Sequence, residues 1–145
     1  MPSSPHFVST CTCFRLRKFS RLLSQRYDAA LAPAGLNVNQ LSILRRASHA
    51  PHTIGSLATE LGMERSTLSR DLKHVAAKGW IRMATGEDAR QKRIVVTAVG
   101  QRIIARALPL WREAQESTGD IVGQDALQRL HGDLDAALER LASVP

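Results

Sequence analysis

The chain has 145 residues, 43% hydrophobic and only 4% aromatic, which suits one domain of ordinary size with a core of mainly Leu, Ile, Val and Ala. No apolar run approaches the roughly 18 residues of a membrane span, and the N-terminus, MPSSPHFVSTCTC, has no basic region leading into an apolar one, so neither a membrane anchor nor a secretory signal is expected. The net charge of +7 and a pI of about 10.4 point to nucleic acid or another anionic partner.

The charge is unevenly placed. Residues 1–50 carry a net +6 and residues 62–97 a net +4, whereas residues 98–145 carry a net −2. The C-terminal third therefore has a different task from the basic remainder. Cys11 and Cys13 form a CxC with no cysteine elsewhere to pair with, so no disulfide framework is expected and a reducing cytoplasm is the natural compartment. The five histidines show neither HxxxH nor HExxH, and CxxC is absent; no metal and no cofactor are expected.

In chain order, residues 1–10 read as an irregular arm rich in Pro and Ser. From Phe14 to Leu31 apolar residues recur at helical spacing (Leu16, Phe19, Leu23, Tyr27, Ala30, Leu31), and Pro33 and Gly35 end that helix. Asn37, with Gln40 three residues on, predicts a capping box opening a helix whose buried side is Leu41, Ile43, Leu44 and Ala47. Pro51 breaks it, and His49 and His52 are expected as solvated loop residues. Thr53 then caps a two-turn helix with Ile54, Leu57, Ala58 and Leu61 inside, closed by Gly62.

A further helix is expected from about Glu64 to Lys78. The helix pair and its glycine turn make a helix-turn-helix. With Leu68 at 0° and 100° per residue, Leu72, Val75 and Ala76 stay on the buried side. Ser66, Ser69, Arg70 and Lys73 fall at about 100–200°, with Thr67 and His74 on the far flank. Hydroxyls near the N-terminus and bases further along suit a helix in the major groove: Ser and Thr address several base edges, Arg can pair with guanine, and Lys73 and His74 suit phosphate. A surface helix with Leu inside and polar residues outside has the same pattern, so its neighbours matter. After Gly79 the period changes: WIRMA alternates, RIVVT is β-branched, and a charged loop of about eight residues joins them. Helix-turn-helix followed by a hairpin with a long charged tip is the winged-helix order. Two helices follow, from about Ala98 to Ser117 with Pro109 as an expected kink, and from about Gln124 to Ala142. In the second, Leu127, Leu130, Leu134, Leu138 and Leu141 make a short coiled-coil-like seam.

From about Cys11 to Leu141 the chain resembles the MarR family of winged-helix transcriptional regulators. The resemblance is carried by LRKFSRLLSQRYDAAL, GLNVNQLSILRRA, TIGSLATELGMERSTLSRDLKHVAAKGWIRM and, most specifically, DARQKRIVVTAVG, with Asp88, Arg90, Lys92, Arg93, Thr97 and Gly100 in the family's wing pattern. It implies a mainly α fold with a small β-hairpin: a winged helix-turn-helix lobe at 37–97, and a dimerisation region from 1–36 and 98–145 whose seam includes Leu16, Leu127, Leu130, Leu134, Leu138 and Leu141. It implies a homodimer on a pseudo-palindromic double-stranded DNA operator, usually as a repressor released by a small anionic or phenolic effector or by thiol oxidation. Carried over by position, Ser66, Thr67, Ser69 and Arg70 enter the major groove, Arg90 reaches toward the minor groove and Asp88 orients it, with Lys92 and Arg93 beside them.

Four residues are candidates for sensing. Cys11 and Cys13 open the first helix among Arg15, Arg17 and Lys18, a setting that favours thiol oxidation; the plainer reading makes them small residues at a dimer contact. Arg15 and Phe19 are candidates to line an effector pocket, Arg15 pairing a carboxylate, or Arg15 is a surface arginine. Two rival functions stand beside the regulator: a thiol-dependent redox enzyme, which lacks any triad-like or metal-like spacing to support it, and a nonspecific architectural winged helix. The chain is therefore read as a regulator and not as an enzyme.

Overall fold

The computed structural model describes residues 10–85 and 91–145. Helix α1, Thr12–Leu31, leads through a 3-10 turn, Ala32–Ala34, into α2, Val38–His49. A short strand β1, His52–Thr53, precedes α3, Ile54–Leu61, and α4, Arg65–Ala77. Strands β2, Ile81–Thr85, and β3, Lys92–Val96, come next, then α5, Ala98–Val122, and α6, Gln124–Ala142. No helix among the described residues is long and apolar enough to cross a membrane.

Local chemistry sets these boundaries. Asn37 Oδ1 accepts from the Gln40 amide at 2.8 Å while Gln40 Oε1 accepts from the Asn37 amide at 3.0 Å, the predicted capping box. Thr53 and Ser56 make a second such box at α3. Gly62, at φ 65°, supplies the left-handed residue that turns α3 into α4.

The hairpin is part of a three-stranded antiparallel sheet in the order β1-β3-β2. Ile94 opposes Met83 on one side and His52 on the other. His52 is thus a strand residue and not a solvated loop histidine: its Nε2 lies 2.5 Å from Glu60 Oε2 and its Nδ1 2.7 Å from the Ala50 carbonyl. The predicted helix ending near Ser117 runs on to Val122, and Pro109 sits within it without ending it. Ala76, expected on the buried side of α4, is exposed; Leu68, Leu72 and Val75 alone turn inward.

The core lies within the winged-helix lobe, the end of α1 with the turn after it, and the first half of α5. Leu31, Leu41, Ile43, Leu44, Leu57, Leu68, Val75 and Ile94 are fully buried, with Trp80, Ile81, Ile104 and Ala107 around them. At about 1.5–3 kcal/mol for each fully buried aliphatic side chain, this cluster dominates the stability of the lobe. Tyr27 donates to Gln115 Oε1 and Arg26 to Ser117 Oγ at 3.0 Å, joining α1 to α5. Asp28 Oδ1 accepts from the Val38 amide at 2.8 Å, joining α1 to the start of α2.

The wing is anchored at its root. Thr97 caps α5 by accepting from the Gly100 amide at 3.1 Å, and its hydroxyl donates to the Gly79 carbonyl at 2.6 Å. The Thr97 amide donates to the Trp80 carbonyl at 3.0 Å. These bonds tie the end of β3 and the start of α5 to the segment that follows α4.

Candidate nucleic-acid interface

Helix α4 presents the expected face. Ser66, Thr67, Arg70, Lys73 and His74 are exposed, and Ser69 is half-buried beside Leu68. The hydroxyls occupy the first turns and the bases the later ones, so the end nearest the glycine turn offers short donors and acceptors while longer cations flank it. Asp71 on the same helix accepts from Asn39 Nδ2 at 3.1 Å, which ties α4 to the first turn of α2. The buried stripe of Leu68, Leu72 and Val75 sets the rotation of α4 about its axis, and with it which side chains face outward.

The wing strands divide the remaining bases. Strand alternation and the register place Ile81, Met83, Lys92, Ile94 and Val96 on one face of the sheet, and Arg82, Ala84, Arg93 and Val95 on the other. Lys92 and Arg93, adjacent in sequence and both exposed, therefore project from opposite faces. Arg93 borders a groove with Ala47, Pro51 and Gln101, whereas Lys92 follows the face that carries buried Ile94. Asp88 and Arg90 lie outside the described residues.

Two basic residues escaped the sequence reading. Arg82 is exposed on the same sheet face as Arg93, which the alternation of WIRMA signals once the strand is placed. Arg65 opens α4 and lays its guanidinium along α3, where a Cβ on Gly55 would stand 3.4 Å from its central carbon. No pattern in the sequence marks that contact.

The sensing candidates gather at α1. Cys11 is the N-cap of that helix, its Sγ accepting from the Phe14 amide at 3.4 Å, and both Cys11 and Cys13 are exposed. Arg15 and Phe19 border a groove of about 340 Å³ with Thr12, Leu16 and Leu130. A second groove, of about 430 Å³, continues along α1 past Leu23 and Tyr27 to Leu134. Of the predicted seam, Leu127 is buried and Leu130 and Leu134 are half-buried. Leu16, Leu138 and Leu141 are 40%, 63% and 73% exposed. A row of exposed leucines on the acidic helix and a matching apolar stripe on α1 are surfaces water solvates poorly. Among the described residues no group of His, Cys, Asp and Glu is arranged to hold a metal.

The comparisons with known proteins agree with this geometry. The MarR family model matches residues 36–92, the segment from the start of α2 to the start of β3. The chain is 39% identical to the Mycobacterium tuberculosis transcriptional regulator MosR, solved in complex with DNA, covering 90% of this chain and 98% of that one with a TM-score of 0.79. It is 27% identical over 101 residues to YwoH of Bacillus subtilis (strain 168), an uncharacterised HTH-type transcriptional regulator, covering 66% of this chain and 71% of that protein. The transcriptional repressor CouR, solved on a 23-mer DNA duplex, shares the fold at 21% identity, with a TM-score of 0.81 and coverage of 88% and 92%. With the helix-turn-helix, the wing and these likenesses together, the chain belongs to the MarR family of transcriptional regulators.

Proposed function

We propose that this protein is a homodimeric, sequence-specific regulator that binds a pseudo-palindromic duplex and represses neighbouring genes until an effector releases it. The observation that carries the reading is the outward face of α4, where Ser66, Thr67 and Arg70 stand clear of the core with Lys73 and His74 beside them. Such a face addresses base edges with its first turns and phosphates with its flank. MosR and CouR, each solved with DNA, support the placement of α4 in a major groove. Arg90 is assigned to the minor groove and Asp88 to orienting it, with Lys92 and Arg93 in the wing's basic surround.

Dimerisation is assigned to residues 1–36 and 98–145. The exposed leucines of α6 and the apolar grooves along α1 support it, because a second copy would remove both from water. Release is assigned to a small anionic or phenolic molecule or to thiol oxidation. CouR, also solved with p-coumaroyl-CoA, supports the first route. For the second, oxidation of Cys11 would alter the atom that caps α1. The family is one of regulators rather than enzymes, and the unspecific architectural reading is separated by competition. The test is displacement of the protein from a labelled duplex of its own upstream region. Unlabelled copies of that duplex are expected to compete at least 100-fold better than unrelated DNA of equal length. Equal competition would make the protein a nonspecific binder.

A further inference from the structure

The two ends of β3 are held by different means. At the root, Thr97 ties it to Gly79 and Trp80. At the other end, which leads back to the charged connection from β2, Lys92 opposes Thr85 on one side. On the other side lies β1, with Thr53 opposite Arg93 and His52 opposite Ile94. Strand β1 therefore braces β3 on its tip-side half. A two-residue ladder at a sheet edge adds little stability of its own, so β1 needs a further hold.

Glu60 supplies that hold. Its Oε2 lies 2.5 Å from His52 Nε2, and its Oε1 accepts from Arg46 Nη1 on α2 at 3.2 Å. The second ring nitrogen of His52 lies 2.7 Å from the Ala50 carbonyl, so the imidazole is fixed at both ends. A lone exposed ion pair is weak, but this carboxylate uses both oxygens, each on a different element. The His52 side chain is only 11% exposed, so removing Glu60 would leave a shielded ring nitrogen without its partner. Glu60 is also the one acid on α3, and it stands in the last turn. The helix macrodipole disfavours an acid there. Local helix energetics thus do not account for Glu60, whereas its reach to β1 and α2 does.

We propose that Glu60 is a positioning residue for the wing: through His52 it holds β1 against β3 and so fixes the wing relative to the recognition helix. The proposal rests on the regulator reading, in which α4 enters the major groove and Arg90 the minor groove, and deepens it. Helix α3 joins α4 through the Gly62 turn, so Glu60 links the helix pair directly to the wing sheet. Two elements that address one duplex together bind more tightly when their relative position is set beforehand, because less ordering is left to the binding step. Without Glu60 the brace on β3 loosens and the wing's share of binding falls. The outward face of α4 takes no part in this network and keeps its own contacts.

A double-mutant cycle on DNA affinity tests this, with the full chain and a labelled duplex of its upstream region. Glu60→Ala should weaken binding about fivefold or more, the size expected of coupled residues, with helix content by circular dichroism unchanged. In an Arg90→Ala protein the same change should cost less than about twofold, because the contact it supports is already gone. In an Arg70→Ala protein the full cost should remain. Glu60→Gln keeps one acceptor oxygen for either His52 or Arg46 and should fall between wild type and Glu60→Ala; it carries the cycle under the same criteria if Glu60→Ala does not fold. An equal loss in all three backgrounds would make Glu60 a general stabiliser and overturn the proposal. No loss in the wild-type background would overturn it too, as would an Arg90→Ala protein that binds like wild type. If the wild-type protein still prefers its upstream duplex to unrelated DNA, only the positioning role falls. If it shows no such preference, the regulator reading falls with it.

Discussion

Gly100→Ala is expected to destabilise the protein although the same change stabilises most helices. Gly100 lies in the first turn of α5, where a Cβ would stand 2.2 Å from the Trp80 carbonyl oxygen and 2.8 Å from Val96 Cγ1. Both neighbours belong to the wing root, and the Trp80 oxygen is a backbone atom that already accepts from the Thr97 amide. Relief requires moving backbone, at about 1–3 kcal/mol for overpacking of this kind. Disturbing the Thr97 bond adds about 0.5–1.5 kcal/mol. Replacing helical glycine by alanine returns up to about 1 kcal/mol. The clash wins, leaving a net loss of roughly 0.5–3.5 kcal/mol. Gly132→Ala is the control. A Cβ there meets nothing within 4 Å, and at 100° per residue Gly132 lies about 140° from Leu127, outside the leucine seam. It should gain about 0.5–1 kcal/mol. Urea unfolding followed by circular dichroism, at one fixed protein concentration because dimer stability depends on it, measures both. A Gly100→Ala protein as stable as wild type would refute the close packing of α5 on the wing root.

Four further outcomes are expected. Arg70→Ala should cost about 1–3 kcal/mol of DNA binding and relax preference at one base pair, whereas Lys73→Ala should weaken all sequences alike and lower the salt slope by about one, both read by anisotropy titration. Arg90→Ala should reduce affinity and salt slope together; unchanged values would remove the wing tip from DNA binding. Leu138→Glu with Leu141→Glu, placed on side chains exposed in one protomer, should shift sedimentation toward monomer, and an unaltered dimer would move the interface elsewhere. Cys11→Ser keeps an oxygen cap on α1 and should make DNA binding insensitive to peroxide. Continued sensitivity would exclude Cys11 as the oxidised group.

What could be read before the fold was known followed from local rules. The capping box at Asn37, the cap at Thr53, the glycine stop at Gly62 and the switch from helical to alternating pattern after Gly79 are each written in a few adjacent residues. The outward face of α4 followed from the same periodicity, with Ala76 misplaced because a wheel angle of about 80° sits at the margin of a narrow buried stripe. What escaped depends on distant partners. Strand β1 is two residues long, too short for any pattern, and exists because Ile94 offers a free edge. Arg45 and Trp111 are 66 positions apart, and nothing local says that they meet. The opposite directions of Lys92 and Arg93 needed only alternation, once the strand began at Lys92 rather than within a charged tip.

The most direct test of the regulator assignment is selection from a library of random 30-base-pair duplexes by the full-length protein. The expected product is a pseudo-palindromic consensus with half-site centres about 10–10.5 base pairs apart, or a multiple of that, and Arg70→Ala should lose preference at one position in each half. A selection that enriches no sequence above the starting pool would contradict it.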